Sequence, residues 1–182
     1  MNAAFVETHL GVLGVLGRDS HVVAIALADS ADDLRRMWQL EFGSVKAGSV
    51  EVGSVEVSSS VEVAGWLEPL ITFLTDPSTC LDLPLNLSGT PFQLQVWDYL
   101  RTIPVGETRT YGDVAAAVGK PPTAARAVAN ACAANKFALA VPCHRVLPRG
   151  GGISGGVGGY RWGCQRKRAL LALEAQTPLL TL

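Results

Sequence analysis

Prolines constrain residues 90–136 more than any other feature of the chain. A proline inside a helix removes a backbone donor and clashes with the preceding turn. Pro91, Pro104 and the Pro121–Pro122 pair therefore cut this stretch into short units. "TPFQLQVWDYLRTIP" opens with Thr90 as an N-cap and Pro91 at the first helical position, and stops before Pro104. "VGETRTYGDVAAAVGK" reads as a turn and a short helix from about Thr110, ended by Gly119, and "PPTAARAVANACAANK" as a second short helix. Two short helices around a tight turn predict a helix-turn-helix. Between Ala124 and Ala134 the second helix is nearly all alanine, with Arg126, Val128, Asn130 and Cys132 as the exceptions. Alanine gives a stable helix that packs closely on a neighbour. The same lack of bulk lets a helix approach a surface as narrow as the DNA minor groove, about 6 Å wide, with Arg126 reaching into the duplex.

The first half obeys a different pattern. "HLGVLGVLGRDSHVVAIALAD" reads as two strands around a Gly-Arg-Asp-Ser turn, and "SADDLRRMWQLEF" as a helix capped by Ser30. Residues 43–63 carry an imperfect repeat of valine with serine, glycine and glutamate. The repeat could form an edge strand, but its small residues favour a mobile insert. "WLEPLITFLTD" reads as a further short helix and "CLDLPLNLSG" as an extended linker. The expected organisation is an N-terminal variable lobe over 1–88 and a second domain over 89–182. Together they make an α/β (α+β) protein with a small α/β lobe and a mostly helical lobe that carries the helix-turn-helix.

Charge divides along the same line. Residues 1–90 hold four basic and twelve acidic side chains, a balance of −8, whereas 91–182 hold eleven basic and four acidic, a balance of +7. A polyanion partner for the second half and docking of the two halves both fit that asymmetry. No run of about 18 apolar residues could span a bilayer, and no signal peptide is legible. The expectation is a cytoplasmic protein with no membrane partner.

"LAVPCHRVL" raises the chemical question, because it sets Cys143 directly before His144 behind an apolar run. A metal pair, a structural cysteine and a reactive thiol all compete for that pattern. Zinc needs about four ligands at short spacings. Cys80, Cys132, Cys143 and Cys164 show no CxxC spacing, so neither a metal nor any other cofactor is expected and the thiols read as reduced. On a buried strand Cys143 and His144 would point to opposite faces, which predicts a bridging water rather than direct contact.

"FQLQVWDYLRTIPVGETRTYGDVAAAVGKPPTAARAVANACAANKFALAVPCHRVL", with "GGYRWG" and "RKRALLALE" after it, strongly resembles the O6-alkylguanine-DNA alkyltransferases, above all the bacterial ones. The likeness covers residues 89 to about 176, and PCHRV is its most specific block. It implies direct-reversal DNA repair, in which one alkyl group passes irreversibly from O6-alkylguanine in double-stranded DNA to the protein. O4-alkylthymine is a second lesion the family chemistry would allow. By the same resemblance Cys143 is the alkyl acceptor, His144 and Glu174 relay its proton, and Asn135 braces the turn before the active site. Tyr160 and Cys132 line the pocket, and Tyr160 also helps protonate the leaving base. The carbonyls of Cys143 and Val146 accept from the exocyclic amine of guanine. Tyr111 rotates the target nucleotide out and Arg126 fills its place, with Thr110, Ala125, Ala127, Asn130 and Lys136 completing the DNA contacts of a monomer. Arg109, Lys120, Arg145, Arg166, Lys167 and Arg168 are further candidates for phosphate contacts. The chain departs from the family in a turn, "GKPPTAAR", one residue longer, and in a glycine-rich loop, "LPRGGGISGGVGGY", about four residues longer.

These residue types suit the chemistry. The thiolate is the nucleophile, and a free thiol is mostly protonated at neutral pH, so a base oriented by a carboxylate is needed. The product would be a thioether with no carbonyl for water to attack, so the cysteine is consumed and no turnover follows. A turning-over Cys–His hydrolase would need an oxyanion site that no motif supplies, and a lesion binder that does not react would not need Cys143.

Overall fold

Asp19 and Ser20 are why the second hairpin closes where it does. Both sit at positive φ (49° and 59°), the conformation a tight turn needs to match the twist of its strands. The turn joins β2 (Gly11–Arg18) to β3 (His21–Ala28). β1 (Asn2–Thr8), which the sequence patterns did not single out, pairs antiparallel with β2 from Asn2↔Gly17 to Thr8↔Gly11. The computed structural model describes residues 1–43, 45, 50–52, 55–57 and 61–176.

Contact density divides the chain into two units, Met1–Asn86 with Lys136–Ala138, and Leu87–Asn135 with Leu139–Leu182. The boundary lies beside the expected one at 88/89. The return of Lys136–Ala138 to the first unit was not expected. There Phe137 bridges Ile25 of β3, with Ala138 N–H donating to the Ile25 carbonyl at 2.9 Å.

In the first unit, α1 (Ala31–Phe42) starts at Ser30, whose hydroxyl accepts from the Asp33 N–H at 3.2 Å. It buries Leu34 and Trp38 against the sheet. Gly14 of β2 makes that contact possible, since a Cβ there would lie 2.7 Å from Trp38 and 2.8 Å from Leu34. Parts of the 43–63 repeat add an antiparallel hairpin, β4 (Val50–Val52) and β5 (Val55–Val57), so that the sheet order is β3-β2-β1-β5-β4. These two pieces are the edge-strand alternative of the sequence reading; residues 61–63 of the expected mobile insert are helical instead, and 44, 46–49, 53–54 and 58–60 lie outside the described residues. α2 (Val61–Gly65) and α3 (Leu67–Thr75) complete this unit.

The second unit is mostly helical. In α4 (Pro91–Leu100) a capping box forms, with the Thr90 hydroxyl accepting from the Gln93 N–H and Gln93 Oε1 accepting from the Thr90 N–H. Such reciprocal bonds satisfy two donors that a helix start would otherwise leave open. Thr110 and Asp113 repeat the device at the start of α5 (Tyr111–Ala117). Gly119 then turns the chain at φ 70°, and a 3-10 turn at Pro122–Ala124 leads into α6 (Ala125–Ala133). α5 and α6 are thus two short helices around a turn. α6 is held from inside, where the buried indole of Trp97 donates to the Ala131 carbonyl at 2.9 Å. α7 (Cys164–Ala175) closes the unit.

Candidate active site

Cys143 does not sit on a strand. The chain reverses through Ala138–Val141, with buried Leu139 at φ 66°, and Cys143–Arg145 form a single 3-10 turn. The expectation of side chains diverging along a strand is therefore corrected. In a 3-10 turn successive residues are about 120° apart, so Cys143, His144 and Arg145 radiate in three directions, and all three are buried. Directly after the turn, β7 (Val146–Leu147) pairs in parallel with β6 (Arg109–Thr110). That pairing fixes the active-site turn to the strand from which α5 starts.

Asn135 stands at the reversal. Its Nδ2 donates to the Val141 carbonyl at 2.8 Å and to Cys143 Sγ at 3.2 Å. Burial pushes the Cys143 thiol up to about 11, against the Asn135 hydrogen bond and the charge of Lys167. Burial, not His144, therefore sets the resting state of the thiol. With a pKa of about 11, four units above pH 7, only on the order of one molecule in ten thousand is thiolate. For such a thiol to act as a nucleophile its proton has to leave with the reaction, which requires a base.

His144 and Glu174 form the candidate pair. His144 Nε2 lies 2.7 Å from Glu174 Oε1 in a fully buried contact. Burial keeps His144 below its ordinary value, so it is neutral at pH 7. An ionised carboxylate only accepts, so Nε2 must carry the ring proton and Nδ1 keeps its lone pair. That Nδ1 is buried and has no partner among the described residues. Burial opposes ionisation of Glu174, but hydrogen bonds from His144 and Arg145 prevail and hold it at about 2.

Arg145 is the residue that sequence reasoning misplaced. Instead of reaching a phosphate, its Nε donates to Glu174 Oε2 and its Nη2 to Glu174 Oε1, both at 2.9 Å, while Nη1 donates to the Ile103 carbonyl at 2.6 Å. Lys167 is misplaced in the same way: it is fully buried and its Nζ donates to the Val146 carbonyl at 2.7 Å. The register of α7 carried the signal, because Lys167, Leu170, Leu171 and Glu174 are its buried residues and recur at i, i+3, i+4 and i+7, one face of a helix. Two charges on an apolar stripe mark a buried polar cluster.

The remaining candidates fall into groups. Tyr160 stands edge-on to His144 (centroids 6.3 Å apart) and to Trp162 (5.0 Å), and Tyr160 Oη is buried without a partner among the described residues. Cys132 lies on the buried side of α6, where burial raises its thiol far above the ordinary value. Thr110, Tyr111 and Ala125 line one cleft of about 540 Å³ with Pro148 and Arg149. Tyr111 is half-buried there and burial pushes its phenol up to about 12. Arg126, Ala127 and Asn130 form the exposed face of α6. Two expected phosphate contacts have protein partners instead. Arg109 pairs with Glu107 at 2.6 Å, and Lys136, in the first unit, pairs with Glu41 at 3.1 Å and lies over the Phe42 ring. Among the described residues no group of three or more His, Cys, Asp or Glu could hold a metal.

The pKa shifts fix a stability profile. Neutral His144 lies below its ordinary 6.5 and Glu174 far below its ordinary 4.5, so for both the unfolded chain binds the proton first. Their contribution is complete above about pH 7. It is lost first as the unfolded histidine charges below about 6.5, then as unfolded carboxylate protonates below about 4.5. Thermal melting across pH 4–8 is expected to be flat between about pH 7 and 8 and to fall steadily below pH 6.5. A melting temperature that rises on acidification would contradict the neutral imidazole.

Comparison with known proteins gives a consistent picture. A family model described as 6-O-methylguanine DNA methyltransferase, DNA binding domain, matches residues 91–176. A methylated-DNA–protein-cysteine methyltransferase of Mycolicibacterium paratuberculosis is 37% identical over 169 residues, which is 93% of this chain and 89% of that protein. The bifunctional transcriptional activator/DNA repair enzyme Ada of Escherichia coli is 54% identical over 107 residues, 59% of this chain. The chain spans 26% and 29% of the length of the first curated relatives it matches, the two Ada proteins. Among solved structures, a variant of Mycobacterium tuberculosis O6-methylguanine methyltransferase superposes with a TM-score of 0.74 at 33% identity, covering 98% of this chain and 95% of that one. The structure of M. tuberculosis OGT in complex with DNA gives 0.71 at 32% identity, with 96% and 94% covered.

Proposed function

This chain belongs to the methylated-DNA–protein-cysteine methyltransferase family, and from that premise we propose that it transfers the alkyl group of O6-alkylguanine in double-stranded DNA to its own Cys143. The observation that carries the proposal is a buried thiol held by an amide donor, followed in the same turn by a carboxylate-oriented imidazole whose second nitrogen has no partner among the described residues. Sγ attacks the alkyl carbon, the carbon–O6 bond breaks, and the electron pair leaves with the purine. The thiol proton passes to His144 Nδ1 through a bridging water, as Glu174 stabilises the imidazolium that forms. Asn135 donates to the sulfur as it gains charge. Tyr160 Oη, buried and without a described partner, gives a proton to the departing base and regains one from the imidazolium, so that the proton lost by the thiol ends on the purine and both side chains return neutral. The thioether cannot be hydrolysed at neutral pH, so one molecule repairs one lesion.

The lesion lies inside a duplex, so the nucleotide must be extruded, which costs a few kcal/mol of stacking and pairing. That work falls to α6 in the minor groove. Its exposed Arg126, Ala127 and Asn130 leave room for the backbone, and Tyr111 stands at the start of α5. Among the described residues no helix is long and apolar enough to cross a membrane, and the reaction is assigned to a monomer acting in the cytoplasm.

Mass spectrometry after incubation with a methylated duplex tests the reaction. One methyl group on the Cys143 peptide, in step with loss of the lesion, is the expected result; lesion loss with an unmodified Cys143 refutes it. The Arg126→Ala variant tests the extrusion step. It is expected to slow transfer from the duplex by roughly ten- to a hundredfold, matching the few kcal/mol of unstacking, and to leave transfer from a free O6-benzylated base unchanged. Equal losses on both substrates would place Arg126 elsewhere in the reaction.

A further inference from the structure

Lys167 is a buried cation whose hydrogen bonds the chemistry above does not use. It is fully buried, and its electrostatic neighbours are the thiols of Cys143, Cys132 and Cys164 rather than a carboxylate. A buried ammonium without a counter-ion is costly, so its hydrogen bonds have to justify its place. Nζ donates to the Val146 carbonyl at 2.7 Å and to the Gly159 carbonyl at 3.3 Å, and it lies 6.0 Å from the centre of the Tyr111 ring. Val146 begins β7, directly after the active-site turn. Gly159 precedes Tyr160 at the far end of the glycine-rich loop. One ammonium therefore ties the backbone directly after the Cys143–Arg145 turn to the backbone directly before Tyr160.

We infer that Lys167 is a positioning residue that aims the Val146 carbonyl at the exocyclic amine of guanine and fixes the Gly159–Tyr160 segment opposite it. The inference rests on the repair reaction proposed above. A carbonyl oxygen has two lone pairs; Lys167 takes one and holds the peptide plane, and the other stays available to a substrate N–H. Val157 anchors the same loop from its other side, packed with Leu147 and Leu171. The apolar contact seats the loop, and the lysine sets the direction of its last carbonyl.

Two lesions separate this role from a merely structural one. O6-methylguanine carries the exocyclic amine and O6-methylhypoxanthine lacks it, so only the first can use the Val146 carbonyl. Single-turnover transfer by the full chain is measured on duplexes with each lesion, alongside thermal melting. The wild-type protein is expected to prefer guanine. Lys167→Met is expected to slow both lesions through the lost charge beside the Cys143 thiol, but to lose about tenfold more on guanine than on hypoxanthine, the size of one well-placed hydrogen bond, so that the preference collapses towards parity. Lys167→Arg, which can still donate to both carbonyls, is expected to restore most of it. Should the methionine variant fail to fold, Lys167→Gln gives the same ratio with one neutral donor retained, and a reduced preference is expected. An unchanged ratio, equal slowing on both lesions, or no wild-type preference overturns the inference. A wild-type protein that modifies itself on neither lesion would instead remove the repair reaction on which the inference stands.

Discussion

Cys143→Ala is expected to abolish alkyl transfer completely while the protein still folds and still binds lesion-bearing DNA. The chemical half follows from the single reacting atom: no other described thiol shares its surroundings. Cys132 is buried without a described amide donor, and Cys80 and Cys164 are exposed. The structural half follows from Asn135. Removing Sγ costs that amide one partner, but its Nδ2 keeps the Val141 carbonyl at 2.8 Å, so the donor is not stranded and the reversal before Pro142 survives. A single buried thiol-to-hydrogen change with its hydrogen bonds otherwise met is expected to shift stability by no more than about 1 kcal/mol. Stoichiometric methyl transfer measured on intact protein, with gel-shift affinity beside it, checks both halves. Residual transfer to another residue would dethrone Cys143, and loss of binding would mean that the thiol holds the DNA surface together.

Several parts of this arrangement were open to a reader of the sequence, and the physical reasons differ from place to place. The helix starts at Thr90 and Thr110 were legible because a capping box is a local device: four consecutive residues suffice to satisfy two of the first donors of a helix. The hairpin at Asp19–Ser20 was legible for the same reason. β1 was not, because the His9–Leu10 turn that joins it to β2 holds none of the usual turn residues and is closed instead by the Thr8 hydroxyl, which accepts from the Leu10 N–H and donates to the Gly11 carbonyl. The 3-10 turn at Cys143–Arg145 escaped for a related cause. Its apolar approach has strand composition, but Asn135 binds Val141 from outside the segment and Leu139 is forced to positive φ, and neither constraint is written locally.

The site shows the same division. Cys143, His144 and Glu174 were picked out through a motif, and the structure brings His144 and Glu174 into contact. Arg145 and Lys167 were read as exposed cations because basic residues in a basic half usually are. Both are buried, and each closes a loop in the polar core, Arg145 through the Ile103 carbonyl and Lys167 through Val146 and Gly159. Part of the +7 balance of residues 91–182 therefore lies inside the unit rather than on its surface. The positive field available to a phosphate backbone comes from the rest, with Arg126 on α6 and Arg149 on the cleft beside Tyr111.

Glu174→Ala is expected to be the most destabilising single change in the second unit. The carboxylate accepts from His144 Nε2 at 2.7 Å, from Arg145 Nε and Nη2 at 2.9 Å each, and from the Gly106 N–H at 3.4 Å. Its loss strands a buried guanidinium and a buried ring N–H together. Removing one partner of a buried ion pair costs about 3–5 kcal/mol, against a total of about 5–15 kcal/mol for a typical domain. Urea denaturation at pH 7 is the measurement. Glu174→Gln separates the fold from the chemistry. It keeps the shape and one acceptor oxygen, so it should lose less stability, yet its amide no longer fixes the His144 proton on Nε2. Transfer is then expected to fall by about a hundredfold, the lower end of what a positioned base contributes. The double variant Arg145→Met, Glu174→Met should be more stable than Glu174→Ala, because it leaves no charge unpaired. A Glu174→Ala protein within about 1 kcal/mol of wild type would mean that the buried carboxylate does not anchor α7 to the active-site turn, and the oriented imidazole would lose its structural cause.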